Sequence, residues 1–209
     1  EPRWMRFADT FGEHTRLAVD MTKAYCDGFQ TTEGSADGWG EESVNTMVKH
    51  FPGGGPCEGG RDAHYAYGKY AVYPGGNFEE HLRPFSEGAF ALEGGTQSAS
   101  AVMPYYTISY GQDKENGENV GNSFSRYLIG NLLREQLGYD GVVCTDWGIT
   151  HNTGKTEEEF AGKCWGVEEL TIEERHLKAL EAGVDQFGGN NDIKPVLEAY
   201  RMGCEKYGE

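Results

Sequence analysis

Apolar residues recur at helical spacing in five parts of the chain and predict five helices. Four of these stripes are regular, and they cover residues 17–29, 124–137, 171–183 and 193–200. In the third stripe, Thr171 and Glu174 have the spacing of a capping box, and Gly183 is a suitable stop. The fifth stripe, residues 77–92, is less regular, because Pro84 must either begin a helix there or kink it.

Short apolar runs between these helices predict strands. They cover residues 44–51, 98–106, 141–146 and 183–187. The runs lack strict alternation, which indicates burial on both faces, as in parallel strands. Strand and helix alternate at intervals of roughly 40 residues, as in right-handed βαβ units. We therefore expect an α/β fold with a parallel sheet, and no domain boundary within the chain.

Polar and aromatic side chains stand where each predicted strand ends. The pairs are Lys49-His50, Tyr105-Tyr106, Asp146-Trp147 and Gln186-Phe187. Active sites of α/β barrels are built at the carboxyl ends of the strands, and open doubly wound sheets also bind ligands there. No glycine-rich phosphate motif follows a strand, so a nucleotide site has no support. The pattern predicts a ligand site at this edge of the sheet.

The charge balance narrows the class of ligand. The chain has 18 lysine and arginine residues against 34 aspartate and glutamate residues, a net charge of −16. This argues against nucleic acid and against an anionic membrane surface, since both attract basic proteins. It is compatible with a neutral substrate such as a sugar. No apolar run approaches the about 20 residues of a membrane helix, and no N-terminal signal pattern is present.

The five cysteines are widely spaced, odd in number and without a CxxC pair. This pattern fits neither a disulfide framework nor a zinc site. We expect isolated thiols, with Cys144 in a core strand, and no metal site.

Asp146 is the first candidate for chemistry. A nucleophilic carboxylate must be ionised, rigid and aimed at the reacting carbon, and a strand end with Lys49 and His50 on a neighbouring strand would provide this. The alternative is that Asp146 only caps the following turn or helix. Trp147 favours a sugar as the ligand, because an indole ring stacks on the C–H face of a pyranose. The alternative is that Trp147 only packs against other residues of the protein.

Two further groups have open alternatives. Lys49 and His50 would hydrogen-bond sugar hydroxyls, or they are an exposed strand-end lysine and a packed histidine. Downstream, Asp62 and His64 stand two apart in a glycine-rich loop and would form a hydrogen-bonded pair that raises the basicity of the imidazole. The alternative for this pair, and for nearby Arg61, is a solvated loop.

Taken in order, these motifs resemble the barrel domain of glycoside hydrolase family 3, which includes β-glucosidases, β-xylosidases and β-N-acetylglucosaminidases. The segment EPRWMRFADTFGEH resembles the family loop [DE]PRWGR…TFGED. VKHFPGGG is similar to its lysine–histidine strand, AVMPYY to its methionine–tyrosine strand, GVVCTDWG to its aspartate–tryptophan strand, and EAGVDQF to its closing strand. The resemblance covers nearly the whole chain.

The resemblance implies a retaining mechanism, with Asp146 as the nucleophile that forms a covalent glycosyl intermediate. It implies substrate-binding roles for these residues: Lys49, His50, Arg61, Met103, Tyr106 and Trp147. No metal or organic cofactor is implied, because the chemistry needs only carboxyl groups and water.

Departures from the family pattern leave several points open. The chain looks like the later part of a (β/α)8 barrel, a partial TIM-type barrel forming a single domain over residues 1–209, without the early strands or a following sandwich domain. The alternatives are that it is a fragment of a longer protein, or a half-barrel that a homo-oligomer or a second chain completes. A secreted or periplasmic location is favoured over the cytoplasm.

The acid/base is unassigned, with His64 and Glu58 as candidates. The acetylglucosaminidase branch of the family has a GHGDT motif before its Asp-x-His pair, and this chain has the pair without the motif. A β-glucosidase or β-xylosidase is therefore favoured. The alternatives are a β-N-acetylglucosaminidase and a non-catalytic half-barrel that needs a partner chain.

Overall fold

A parallel sheet organises the fold. The computed structural model describes residues 3–208 and contains five strands: β1 (Met47–Phe51), β2 (Tyr70–Ala71), β3 (Ala101–Pro104), β4 (Ile108–Ser109) and β5 (Val142–Val143). The main sheet has the order β1-β3-β5 with all strands parallel, and β2 pairs with β4 in a second parallel sheet. The expectation of an α/β fold with parallel strands is confirmed; the partial barrel and the single domain over residues 1–209 remain predictions.

The predicted strands are longer than the observed ones, and the fourth is reduced to one bridge. Cys144 and Gln186 form a parallel bridge beside β5, so residues 183–187 still lie next to it in the expected order. The backbone N–H groups of Asp185 and Gln186 both donate to the carbonyl of Val143, which is incompatible with a regular ladder. The apolar pattern therefore gave the position of this segment correctly and its length wrongly.

All five predicted helices are present. The α-helices are α1 (Thr15–Gln30), α2 (Phe78–Arg83), α3 (Ile172–Ala182) and α4 (Ile193–Tyr207), and the π-helices are Pro84–Ala89 and Tyr127–Gln136. Short 3₁₀ helices cover Phe7–Asp9, Glu58–Gly60, Ala66–Gly68 and Asn122–Phe124. Pro84 begins the first π-helix directly after α2, and the predicted capping box of α3 is formed in full. Helices lie in each crossover between neighbouring strands, as βαβ units require.

The apolar stripes of two helices lie largely in solvent. In α1 the exposed residues are Leu17, Met21, Tyr25 and Phe29, and in α4 they are Ile193, Leu197 and Tyr200. The face that α1 buries instead carries Val19, Cys26 and Gln30. The apolar period thus predicts where each helix runs but not which face this chain covers.

The five cysteines are free thiols, as the spacing predicted, and all but Cys204 are buried. Within residues 3–208, none of the helices has the length and apolar character that would let it span a membrane.

Gln30 joins the end of α1 to the starts of β1 and β3. Its side chain is fully buried, and its amide nitrogen donates to the carbonyl of Ser98 at 2.9 Å and to Thr96 Oγ1 at 3.1 Å. Its amide oxygen accepts the backbone N–H groups of Ser100 at 2.9 Å and Thr46 at 3.2 Å. A buried polar side chain satisfied in this way stabilises one arrangement of three segments.

We expect Gln30→Leu to destabilise β1 and β3, because it leaves the backbone N–H of Ser100 and the carbonyl of Ser98 without their partner in Gln30. The expected loss is about 3 kcal/mol in local opening free energy, measured by hydrogen exchange of the strand amides in the full-length protein. Gln136→Leu, at the exposed end of the second π-helix, is the matched control and should change exchange little. Equal protection in the two variants would contradict the role of Gln30.

Candidate active site

The carboxyl ends of the three main strands bring the predicted side chains together. His50 lies in β1, Tyr105 follows β3, and Asp146 follows β5. His50 Nε2 lies 3.4 Å from Asp146 Oδ2, and the His50 and Tyr105 rings are 4.6 Å apart between centroids. The clustering that the sequence predicted at this edge is therefore present.

Thr145 fixes the backbone immediately before Asp146. Its N–H donates to the carbonyl of Gln186 at 2.9 Å, and its hydroxyl accepts the N–H of Gly188 at 3.0 Å. Within residues 3–208, Asp146 Oδ1 accepts a local bond from the N–H of Trp147 at 3.2 Å. No helix begins at this point in the described chain, since the next one starts at Ile172. The structure therefore excludes a helix cap at Asp146, whereas the bond to Trp147, at the start of a turn, agrees with the turn alternative.

The Asp146 carboxylate is buried, with an exposed fraction of 7 %. Burial raises the pKa of Asp146, and the nearby Tyr106 hydroxyl and the positive charges of His64, Lys49 and Arg6 oppose that rise. Although Tyr106 is close enough to lower this pKa, no donor in the described chain completes a hydrogen bond to the buried oxygen Oδ2. An oxygen in this state is available to a ligand.

His50 is a neutral imidazole at physiological pH. Burial, together with the positive charges of Lys49 and Arg6, lowers the pKa of His50 to about 3. Its contact with Asp146 is therefore not an ion pair in that range, and its ring remains able to donate or accept one hydrogen bond to a ligand.

Lys49 lies at the exposed edge of β1, as the solvent-exposed alternative expected. Its charge nevertheless lowers the pKa values of both His50 and Asp146. The register with β3 shifts between Lys49 and Phe51, and the Lys49–His50 and Phe51–Pro52 peptide bonds are cis. His50 is buried in the site, whereas Lys49 is exposed at its rim.

Asp62 and His64 form the pair that their spacing predicted. His64 Nδ1 lies 2.7 Å from Asp62 Oδ1, and the backbone N–H of His64 donates to the same oxygen at 3.0 Å. This bond holds the proton on Nδ1 and leaves Nε2 free. The His64 ring packs edge-on against Tyr106, 4.9 Å between centroids. The pair therefore stands beside a residue that also contacts Asp146.

Trp165 holds the segment between the two members of this pair. Its indole N–H donates to the carbonyl of Ala63 at 3.1 Å, and both residues are buried. The loop that follows Asp146 is thereby tied to the loop that carries Asp62 and His64.

The Trp147 indole lies against two glycines on the segment after residue 187. A Cβ at Gly189 would lie 2.1 Å from Trp147 Cδ1, and one at Gly188 would lie 2.6 Å from Cζ3. Half of the Trp147 side chain remains exposed, at 51 %. One side of the indole is thus supported by backbone, and the rest is open beside Asp146.

A family model described as the glycosyl hydrolase family 3 N terminal domain matches residues 1–195. The chain belongs to glycoside hydrolase family 3. It is 43% identical over 203 residues to Beta-glucosidase C of Emericella nidulans, covering 97% of this chain and 31% of that protein. It is 40% identical over 214 residues to the Periplasmic beta-glucosidase/beta-xylosidase of Dickeya chrysanthemi, covering 97% of this chain and 31% of the relative.

A solved family 3 β-N-acetylglucosaminidase from Paenibacillus sp. str. FPU-7 has the same fold, with a TM-score of 0.66 at 24% identity. The match covers 100% of this chain and 34% of that structure. At this identity the likeness shows the fold alone. The chain spans about a third of the length of these curated relatives.

Arg61, suggested by the family resemblance as a sugar-binding residue, and Glu58, a candidate acid/base, lie away from Asp146. Arg61 has a side chain that is 58 % exposed, and its guanidinium lies 4.0 Å from Glu58, which is also on the surface. Among the described contacts neither reaches His50 or Asp146, so this placement argues against a sugar-binding Arg61 and an acid/base Glu58. Met103 is buried in β3, in register with Lys49.

Sequence reasoning missed Arg6, Phe160, Lys163 and Trp165. Arg6 stands in the family loop near the start of the chain, and only that motif pointed to it. The other three lie in a loop without regular secondary structure, where periodicity carries no information. Within residues 3–208, no group of three or more His, Cys, Asp or Glu side chains is arranged to hold a metal ion.

We expect Gly189→Ala to displace Trp147 and to lower kcat/KM for nitrophenyl β-glucoside roughly tenfold to a hundredfold. The matched control is Gly111→Ala. Gly111 has nearly the same φ, +66° against +63°, but no atom within 4 Å of its added Cβ. Both variants carry the cost of a left-handed alanine, so only the clash with Trp147 differs. Equal kcat/KM values in the full-length variants would show that Trp147 is not required in this position.

Proposed function

We propose that this chain supplies the nucleophile and part of the sugar site of a retaining glycosidase acting on non-reducing β-linked glucosides or xylosides. The observation that carries the proposal is the buried Asp146 carboxylate, which stands at the carboxyl edge of the sheet, next to His50, with one oxygen lacking a donor. The names of the curated relatives, a β-glucosidase and a β-glucosidase/β-xylosidase, support the same substrate class.

In the proposed reaction, an Asp146 oxygen attacks the anomeric carbon while the bond to the leaving oxygen breaks and that oxygen takes a proton. Water, which gives a proton to the same acid/base group, then attacks the anomeric carbon from the face that the leaving group had occupied, opposite the ester. The bond to Asp146 breaks, and the sugar is released with its configuration retained. His50 and Lys49 are the proposed donors to sugar hydroxyls, Tyr106 supports the carboxylate, and Trp147 stacks on the sugar ring.

We assign the acid/base role to His64, oriented by Asp62. The 2.7 Å contact between Nδ1 and the Asp62 carboxylate leaves Nε2 to donate the proton and later to take one from water. The same pair is the observation that favours the second candidate, a β-N-acetylglucosaminidase. Activity on nitrophenyl β-glucoside, β-xyloside and N-acetyl-β-glucosaminide distinguishes the two.

We also propose that the open sheet is the later part of a (β/α) barrel. The exposed apolar faces of α1 and α4 support this, since further polypeptide from the same chain, an identical copy or a partner chain would cover them. A periplasmic or secreted location is proposed on the printed name of the Dickeya chrysanthemi relative.

We expect Asp146→Asn to abolish turnover, with kcat/KM falling roughly a thousandfold or more, while it stabilises the protein at neutral pH. Burial raises the pKa of Asp146 in the folded state, so the stability that this group contributes is present below its unfolded pKa and is lost as pH rises through the folded value. The gain in Tm of the variant should therefore shrink as pH falls from the raised folded pKa towards the unfolded value of about 4, and it should be absent below that value.

Asp140→Asn, an exposed aspartate shortly before β5, is the control for both measurements and should change neither. Persistent turnover in Asp146→Asn would reject Asp146 as the nucleophile.

We expect His64→Gln to be most damaging for substrates whose leaving group needs a proton. For an alkyl β-glucoside the expected loss in kcat/KM is roughly a hundredfold to ten-thousandfold, whereas dinitrophenyl β-glucoside, whose leaving group departs as an anion, should lose far less. The exposed His151 provides the control His151→Gln. Equal losses on both substrates would reject His64 as the acid.

A further inference from the structure

His176 is a fully buried histidine in α3 that neither the motifs nor the proposed reaction uses. Its Nδ1 lies 2.7 Å from the carbonyl oxygen of Ile172, one turn earlier in the helix. Because a carbonyl can only accept, Nδ1 carries a proton, and in the neutral ring Nε2 is left as an acceptor. The helix itself therefore fixes the tautomer of His176.

The acceptor nitrogen of His176 meets a donor from another segment. Nε2 lies 2.7 Å from the amide nitrogen of Asn190, whose Oδ1 accepts the backbone N–H of Asp192 at 3.0 Å. The second bond orients the amide, so that its NH₂ group faces the imidazole and donates to Nε2. Protonation of His176 would place two donors against each other at this distance. The contact between α3 and Asn190 therefore requires the neutral ring.

The segment that His176 holds is the one that supports Trp147. The rings of His176 and Phe187 are 4.6 Å apart between centroids, and Asn190 follows three residues later. Between them lie the two glycines against which Trp147 packs, since an added Cβ at either one would overlap the indole. His176 thus contacts both ends of the four residues on which the indole rests.

The same part of α3 holds the loop that leads away from Trp147. The hydroxyl of Thr150 lies 3.5 Å from His176 Nε2, and its carbonyl accepts a bond from the Arg175 guanidinium at 3.0 Å. The guanidinium also donates to three further acceptors in that loop. Since arginine stays charged at any relevant pH, Arg175 holds the loop irrespective of the state of His176. The contact with Asn190, in contrast, depends on the imidazole.

Burial lowers the pKa of His176 and keeps the ring neutral near neutral pH. The bond to the Ile172 carbonyl and the charge of Glu173, both within α3, oppose this decrease. The charge of Asp192, at the start of α4, also opposes it, whereas that of His151, in the loop after β5, adds to it. The neutral state that the contact needs is thus the state that the interior favours.

We propose that His176 is a positioning residue for the sugar: as a neutral acceptor for Asn190, it holds residues 187–190 against Trp147. The inference rests on the proposed function, because it takes Trp147 as the ring that stacks on the transferred sugar. That contact is made both before and during the reaction, so losing its support raises KM and leaves kcat nearly unchanged. A purely structural defect would instead reduce the fraction of active enzyme, which lowers kcat and leaves KM unchanged.

The first test removes the donor at position 190 in the full-length protein. Asn190 is half-buried and lies outside helices and strands, so its substitution does not threaten folding. We expect Asn190→Ala to raise KM for nitrophenyl β-glucoside roughly fivefold to tenfold, with kcat within about twofold of wild type. Hydrogen exchange of the peptide 187–191 should be faster in the variant, which reports the contact without turnover.

The second test uses pH, with Asn190→Ala as the reference in which the contact is absent throughout. The ratio of wild-type KM to the KM of this reference should be constant above about pH 6.5 and rise towards one in acid, as His176 takes up a proton. Asn190→Asp should show the opposite trend. One carboxylate oxygen can still accept the N–H of Asp192 while the other faces Nε2, so the imidazolium becomes the form that is held. Its KM relative to the reference should therefore fall as pH is lowered.

Asn191→Asp adds the same charge at the exposed neighbouring residue and is the control, which should keep the KM and the pH trend of wild type. Trp147→Ala, measured in parallel, separates the two levels of the argument. If it leaves KM unchanged, the stacking role of Trp147 and the inference are overturned together. If it raises KM, the inference alone is overturned by any of three results: an unchanged KM in Asn190→Ala, unchanged exchange of the peptide, or pH trends that are absent or of the same sign.

Discussion

The structure depends on keeping one carboxylate, Asp146, buried at the carboxyl edge of a parallel sheet. Burial raises its pKa, and the positive charges of Arg6, Lys49 and His64 offset that cost. These residues come from the loop near the start of the chain, from β1 and from the loop after β1. The ionised carboxylate is therefore stabilised only when several segments, distant in sequence, are in place at once. Thr145, bonded to the segment of Gln186 and Gly188, sets the backbone from the other side. The stability of the fold and the ionisation of the site therefore both depend on the charge of Asp146.

Much of this arrangement could be predicted because it follows from local pattern. Parallel strands bring their carboxyl ends to one edge, so polar residues placed after apolar runs must converge, as His50 and Asp146 do. The pair Asp62–His64 was predictable from a spacing of two, because an aspartate side chain often accepts a hydrogen bond from the backbone two residues later. What spacing does not give is the path of a loop. Arg61 follows Gly59 and Gly60, both at positive φ, and is turned outward to solvent.

Features that depend on contacts between distant segments could not be predicted. Lys163 is buried because Phe160 and Tyr106 cover it, and its loop has no period that would reveal this. The apolar period of α1 gave the helix but not its buried face, because that face includes the polar Gln30. The burial of Gln30 is possible only because Thr46, Ser98 and Ser100, from two other segments, satisfy its amide. A count of apolar residues assigns such a glutamine to the solvent side. The same limit applies to strand length, which depended on how Asp185 and Gln186 bond to Val143.

The proposed chemistry explains why a histidine pair suits this site better than a second carboxylic acid. A carboxylate close to Asp146 would raise the pKa of the nucleophile further, whereas the charge of His64 lowers it. Asp62 orients His64 while its own charge is shared with the imidazole it binds and with nearby Lys163. The chain as a whole carries a net charge of −16, yet the described charges that shift the pKa of Asp146 are positive. The acidic surface acts through solvent, where charges are screened beyond about 8 Å at physiological ionic strength. Burial has the largest effect on the ionisation of Asp146 and raises its pKa, and the Tyr106 hydroxyl and the nearby cations offset part of that rise.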